Sequence, residues 1–86
     1  MKLLLVNGSR LSFTVETPAH EPLGGSESAC AWLARALAAR GHHTSQMAHL
    51  PAAAPDEIAG VHHVPIATAQ DAGFFAKSRF DAVITL

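Results

Sequence analysis

The segment PLGGSESA, residues 22–29, has residue types and a spacing that suit the binding of an anion. Gly24 and Gly25 let a ligand approach the main chain closely because they carry no side chain. Ser26 is a good N-cap residue, and Glu27 suits the first turn of a helix. A helix that begins here points unpaired N–H groups and the positive end of its dipole at the ligand. The segment therefore predicts a phosphate site with these four residues at its centre.

Strands and helices that could position this segment alternate along the chain. The apolar run at residues 2–6 predicts a buried first strand. Helical spacing predicts a helix from Ser26 to Arg40, which Gly41 ends. The apolar stripe of that helix consists of Cys30, Leu33, Ala34 and Leu37. Further strands are predicted at residues 42–48, 61–66 and 80–86, and a shorter helix, capped by Thr68, at residues 69–78.

The alternation predicts an α/β fold, namely a partial Rossmann-like, doubly wound parallel sheet. Right-handed crossovers favour about four strands in the order 3-2-1-4 with flanking helices. The loop over residues 7–25 is far longer than the usual connection of about 2–6 residues, which is typical of functional or disordered segments. Residues 50–60 are expected to form a surface connection. Because the fourth strand ends the chain where a ligand crevice would lie, we expect residues 1–86 to be an incomplete domain.

Composition and charge exclude several classes of protein. The chain is 49% hydrophobic and 15% charged, with a formal net charge of -1. Its few basic residues are scattered, so we expect no nucleic-acid partner. The apolar run near the N-terminus is too short for a secretory signal, and no stretch approaches the roughly 20 residues of a membrane span. We therefore expect no transmembrane segment and a cytoplasmic location.

Three segments together resemble a known family. These are KLLLVN at residues 2–7, PLGGSE at residues 22–27 and WLARALAARGH at residues 32–42. The combination resembles the N-terminal domain of GT-B-fold glycosyltransferases and is most similar to the large retaining family called group 1 or family four. FDAVI at residues 80–84 is also similar, though less distinctive. The resemblance extends over essentially the whole chain and is sharpest over residues 1–48.

This resemblance implies a hexosyltransferase that moves a sugar from a nucleotide-sugar donor to a glycan or lipid-type acceptor. The glycine loop would face the donor diphosphate and border the acceptor, a role that falls to Gly24, Gly25, Ser26 and Glu27. It also implies that the C-terminal donor-binding domain is absent, unless a separate chain supplies that half. We therefore expect the 86-residue chain alone to transfer no sugar.

Two other functions remain as alternatives. A dinucleotide-binding oxidoreductase needs G-x-G-x-x-G directly after the first strand, and residues 7–12 do not supply it. A non-catalytic Rossmann-like module that pairs with another chain is the stronger alternative, because an apolar fourth strand and an incomplete sheet favour association.

The remaining reactive side chains favour structural roles, and no cofactor is expected. No metal site is expected, because adjacent histidines such as His62 and His63 point to opposite faces of a strand. Cys30 lies on the apolar stripe and is expected to be a buried small hydrophobe. Trp32 is expected to pack and Asp81 to begin a strand. His20, in the long loop, is expected to be solvated.

Overall fold

A five-stranded sheet forms the centre of the computed structural model, which describes residues 1–21 and 23–86. Pro22, the first residue of the predicted anion segment, lies outside the described residues. The strands are β1 (Lys2–Val6), β2 (His43–Ala48), β3 (Glu57–Ile58), β4 (Val61–Pro65) and β5 (Ala82–Thr85). The α-helices are α1 (Gly25–Ala39) and α2 (Ala72–Ser78), and 3-10 helices cover Thr17–Ala19 and Ile66–Gln70. The α/β class is confirmed.

The strand order is β3-β4-β2-β1-β5, which differs from the predicted four-strand order. β1 lies between β2 and β5, β2 also pairs with β4, and these three pairings are parallel. β3 pairs antiparallel with the first half of β4, so the sheet is mixed. The predicted surface connection at residues 50–60 was therefore wrong for Glu57–Ile58. Ala59 and Gly60, both with positive φ (53° and 80°), form the two-residue turn of this β3–β4 hairpin,.

Helix α1 covers one face of the sheet. It differs from the prediction by one residue at each end, and Gly41, with φ 91°, follows its C-cap as expected. The N–H groups of Gly41 and His42 donate to the carbonyls of Ala38 and Leu37, which closes the helix,. Its buried apolar residues are Cys30, Ala31 and Ala34. The stripe was wrong at Leu33, which is 37% exposed, because Ala31 faces the sheet instead.

Helix α2 lies on the opposite face. Leu5 packs with α1, and strand alternation turns Lys2 to the other side, where its Nζ donates to the carbonyl of Ser78 in α2,. The predicted Thr68 cap was wrong. The N-cap is Asp71, whose carboxylate accepts from the Gly73 N–H at 2.9 Å, and a 3-10 turn occupies the preceding residues.

The long loop between β1 and α1 is part of the core. Phe13 and Val15 are fully buried and join the cluster formed by Leu5 and the small residues of α1. The Phe13 N–H donates to the His49 carbonyl at 3.0 Å, which fixes the loop beyond the end of β2. This packing anchors the part of the loop around Phe13 and Val15 to the sheet and to α1.

Candidate functional site

The candidate site lies where β1 ends and α1 begins, and Asn7 joins these two ends. Asn7 is 1% exposed, and its N–H donates to the Met47 carbonyl at 3.0 Å. Its side-chain Oδ1 accepts from the Ser9 N–H at 2.9 Å, and its Nδ2 lies 3.4 Å from the Ser26 Oγ. The carboxyl end of the central strand is thereby tied to the first turn of the helix. This edge of an open α/β sheet is where ligands generally bind.

Gly24, rather than the predicted Ser26, is the N-cap of α1. Gly24 has extended backbone angles (φ −66°, ψ 169°), and its carbonyl accepts the first helical hydrogen bond from the Ser28 N–H at 3.0 Å. Ser26 already lies within the first turn. In the described part of the chain, no side chain accepts a capping hydrogen bond at this helix end. The first-turn N–H groups are therefore not neutralised by a capping side chain.

Glu27 places a buried carboxylate beside this helix end. Its side chain is 6% exposed, and the carboxylate accepts a hydrogen bond from the Ser26 hydroxyl. It lies over Gly24, where an added Cβ would be only 2.5 Å from the Glu27 Oε1. A side chain at Gly24 would therefore displace the Glu27 carboxylate from this position. A negative charge in the first turn is favoured by the helix dipole, as predicted.

Gly25 differs from its neighbour because nothing in the fold excludes a side chain there. An added Cβ would meet no atom of the described residues within 4 Å. The φ angles of Gly24 and Gly25 are not positive; positive-φ glycines occur at Gly41 and Gly60. Glycine is also a weaker helix former than alanine, although Gly25 is the first residue of α1 and the difference there is smaller than in a helix interior,. Gly25 therefore leaves its backbone open to approach from outside.

Two open clefts lie near the long loop, and residues 24–27 line neither of them. One has a volume of about 340 Å³ and is lined mainly by loop residues, including Glu16 and His20. The other, of about 510 Å³, lies among the segments that follow β2 and β4 and contains His49, Asp56 and His63. Sequence reasoning missed this second cleft, because two separate parts of the chain form it.

His63 is the most strongly constrained ionisable group of the cleft. It is 7% exposed, its Nε2 accepts from the Val15 N–H at 3.1 Å, and its Nδ1 donates to the Val61 carbonyl at 3.1 Å. Burial lowers the pKa of the His63 imidazole; the bond to Val61 opposes that effect, and the neighbouring His62 adds to it,. His63 is therefore neutral at pH 7.

The histidine pairs do not converge on a shared ligand. His62 lies on the exposed side of β4, with its Nε2 3.3 Å from the Glu57 carboxylate and its ring centroid 5.3 Å from that of His43. His63 faces inward. Over residues 1–21 and 23–86, no group of three or more His, Cys, Asp or Glu side chains is arranged to hold a metal ion. In the long loop, His20 is largely exposed beside Glu16, as expected.

Three other residues that the sequence singled out, Cys30, Trp32 and Asp81, make contacts within the fold. Cys30 is fully buried, and burial raises the pKa of its thiol to about 11, which leaves it protonated and unreactive,. Trp32 is half exposed, with the Arg35 guanidinium 5.2 Å from its ring centre. Asp81 directly precedes β5, and its carboxylate accepts a hydrogen bond from the Lys2 N–H at 2.6 Å.

Comparisons with models of protein families, with curated proteins and with solved structures found no match. Among the described helices, none combines the length and the apolar character that a membrane crossing requires.

Proposed function

We propose that this chain is the N-terminal, Rossmann-like portion of a GT-B-fold glycosyltransferase. In this proposal, residues 24–27 face the diphosphate of a nucleotide-sugar donor and border a glycan or lipid-type acceptor. The sequence resemblance over residues 2–42 motivates the proposal. Two structural features support it: the parallel pairing of β4, β2, β1 and β5, and the start of α1 beside the carboxyl end of β1.

Gly25 is the observation that carries the proposal. It opens α1 and lowers helix propensity, yet neither its backbone angles nor a neighbouring atom calls for glycine,. Close approach of a ligand to the main chain accounts for a glycine at such a position.

The chemistry of glycosyl transfer fits this helix end. When a sugar leaves a nucleotide-sugar donor, negative charge develops on the diphosphate, and uncapped N–H groups at a helix start stabilise that charge. The Glu27 carboxylate already lies over Gly24, so the diphosphate would approach over Gly25.

A titration followed by amide NMR tests this assignment. We expect UDP, GDP or UDP-glucose at millimolar concentration to shift the amide signals of Gly25 and Ser26, because these N–H groups would contact the diphosphate. Gly25→Val should abolish the shifts by obstructing the approach. Ala36→Val, on the exposed side of the same helix, is the control for the helix propensity of valine. Unchanged binding by Gly25→Val, or no shift at these amides with any of the three probes, would contradict the proposal.

The chain alone should transfer no sugar, since the proposal assigns most of the donor site to a second domain or a separate chain. Incubation of the purified chain with UDP-glucose and a mixture of glycan and lipid acceptors measures this directly. Detectable transfer to any acceptor would contradict the proposal that this chain forms only part of the donor site.

A non-catalytic interaction module is the second candidate, and the β5 edge favours it. Within the described part of the chain, β5 pairs with β1 alone, and Val83 and Leu86 are 51% and 43% exposed. An open apolar edge favours strand addition. Sedimentation should then reveal association that Val83→Lys weakens, whereas Glu57→Lys on the opposite edge leaves it unchanged. A monomer at all concentrations, with or without these changes, would count against this candidate.

A further inference from the structure

The imidazole of His63 holds the long loop against the sheet. The hydrogen bond from the Val15 N–H to the His63 Nε2 joins residues that are 48 positions apart in the chain. The second ring nitrogen donates to the Val61 carbonyl within β4. Since Nδ1 must donate while Nε2 accepts, this pair of bonds requires the neutral ring with its proton on Nδ1.

The same loop residue is held from the other side by α1. The Arg35 Nη1 donates to the Val15 carbonyl at 3.5 Å, and the guanidinium also lies over the ring of Trp32. Val15, which makes both of these contacts, and nearby Phe13 are fully buried. The peptide groups of Val15 are therefore held by β4 on one side and by α1 on the other. Arg35, which makes the α1 contact, also contacts Trp32, the chain's single tryptophan.

We propose that His63 is a pH-sensitive latch, whose protonation at Nε2 releases the loop segment around Val15 from β4. A protonated Nε2 becomes a donor that faces the Val15 N–H, another donor, so the bond is lost and two N–H groups oppose each other. The loop runs from Val15 into the start of α1 at Gly24. Release therefore loosens the chain that leads into the candidate anion site, whatever ligand that site binds.

The surroundings of His63 disfavour a charged ring in the closed state. Its register partner in β2, Gln46, is fully buried and neutral. The His63 N–H donates to the Asp56 carbonyl at 2.8 Å through the main chain. The titratable or charged residues nearest to it are Glu16, Arg35, His49, Asp56, Glu57 and His62. Of the packed elements, β2 also carries His43, and α1 also carries Glu27, with Arg40 at its C-cap.

Among these, the Arg35 guanidinium carries a permanent positive charge and donates to the Val15 carbonyl. His62 is the adjacent residue of β4 and lowers the pKa of His63 further. Glu57 is paired with His62 on the exposed side of the strand. Burial lowers the pKa of His63 below its ordinary value of 6.5, so the opened state binds the proton more readily than the closed state,. The stability that the latch contributes is therefore fully present above pH 6.5 and is lost as the pH falls through the folded-state pKa,.

Amide hydrogen exchange at Val15 measures the latch. After correction for the intrinsic exchange rate, we expect the opening constant of this amide to rise as the pH falls from about 7.5 to about 5. The rise reaches about tenfold per pH unit in the window where the opened form binds one more proton. Trp32 fluorescence should change over the same window, because Arg35 connects Val15 to the indole.

Two variants separate the latch from general acid sensitivity. His63→Gln can place an amide oxygen near the position of Nε2 and cannot be protonated there, so it should remove the pH dependence of Val15 exchange. His62→Gln removes an exposed imidazole beside it and should leave that dependence in place. A pH dependence that persists in His63→Gln, or one that is lost in His62→Gln, would overturn the proposal.

A ring titration in the unaltered protein keeps the test independent of how well the variants fold. The Hε1 signal of His63 should titrate where the opened form becomes the major form, at a pH below that at which the opening constant of the Val15 amide begins to rise. If the ring becomes protonated while Val15 stays protected, or if the opening constant of Val15 does not rise before the ring titrates, His63 is not a latch.

Discussion

Helices α1 and α2 are held to the same sheet by different means. α1 has a glycine at its N-cap and glycine beyond its C-cap, and it buries Cys30, Ala31 and Ala34 under the long loop. α2 is seven residues long and capped by the Asp71 side chain; none of its residues, all of which the structure describes, is buried. The C-cap of α2 is Arg79, which has a left-handed conformation with φ 52°.

This difference shows that the two helices depend on different kinds of interaction. An isolated seven-residue helix is unstable in water, so α2 depends on its cap and on contacts of half-buried aromatic rings. α1 contributes a surface of small residues, and the side chains of Phe13 and Val15 from the long loop pack in the same core cluster. Substitutions in the core around α1 should therefore affect the whole domain, whereas substitutions in α2 should act locally.

The largest expected effect comes from removing the aromatic ring that packs with each helix. Phe13→Ala should lower the free energy of unfolding by about 3–5 kcal/mol, because Phe13 is fully buried,. Phe74→Ala in α2 should lower it by about 1 kcal/mol, since Phe74 is only partly buried against Phe75 and Phe80,. Urea denaturation measures both values. Equal losses would mean that the two helices are held alike.

Loss of a polar side chain at each helix start should separate a cap from a buried contact. Ser26→Ala should destabilise the protein by about 1–3 kcal/mol, since Ser26 does not cap α1 but its hydroxyl donates to the buried Glu27 carboxylate, which would lose this bond,. Asp71→Ala should destabilise it by about 1 kcal/mol, because the Gly73 N–H loses its acceptor,. Thermal unfolding of the two variants tests both values. A loss below about 0.5 kcal/mol for Ser26→Ala would show that the Glu27 carboxylate does not depend on the Ser26 hydroxyl.

The smallest expected effect is a gain at the C-terminal end of α2. Arg79→Gly should raise the free energy of unfolding by roughly 0.5–1 kcal/mol, because glycine adopts a positive φ without steric strain. Arg40→Gly at the C-cap of α1, where φ is −88°, should instead lower it by about 0.5 kcal/mol,. Calorimetry of both variants decides the signs. A loss for Arg79→Gly would show that the arginine side chain stabilises α2 by more than its backbone strain.

Local patterns predicted the elements whose signals lie within a few residues. β1 has the predicted bounds, and α1 differs by one residue at each end. β3 was missed because its turn has Ala59 where a type I′ turn usually has Asn or Gly,. The core positions of Phe13 and Val15 were missed for a different reason: a loop has no periodicity, and its burial depends on distant partners in α1 and beyond β2.

At the candidate site, too, the sequence predicted the local features and missed those that depend on contacts formed only in the fold. The sequence predicted a helix that begins at Ser26, one residue after the observed start at Gly25, and it predicted that Glu27 lies in the first turn. It could not predict that Glu27 folds back over Gly24, which gives the two adjacent glycines different environments. Nor could it predict the bond between His63 and Val15, because nothing near either residue in the chain indicates the other. The role of Gly25 as a ligand contact stays a prediction.

The burial of Cys30 makes its thiol a natural probe of how often the layer under α1 opens. It is the chain's single cysteine, and its thiol lies fully enclosed under α1. A thiol reagent can therefore modify it only during the moments when the helix lifts from the sheet or the whole domain unfolds. The rate of modification, read by mass spectrometry, reports how often that layer opens in unaltered protein, with no probe introduced.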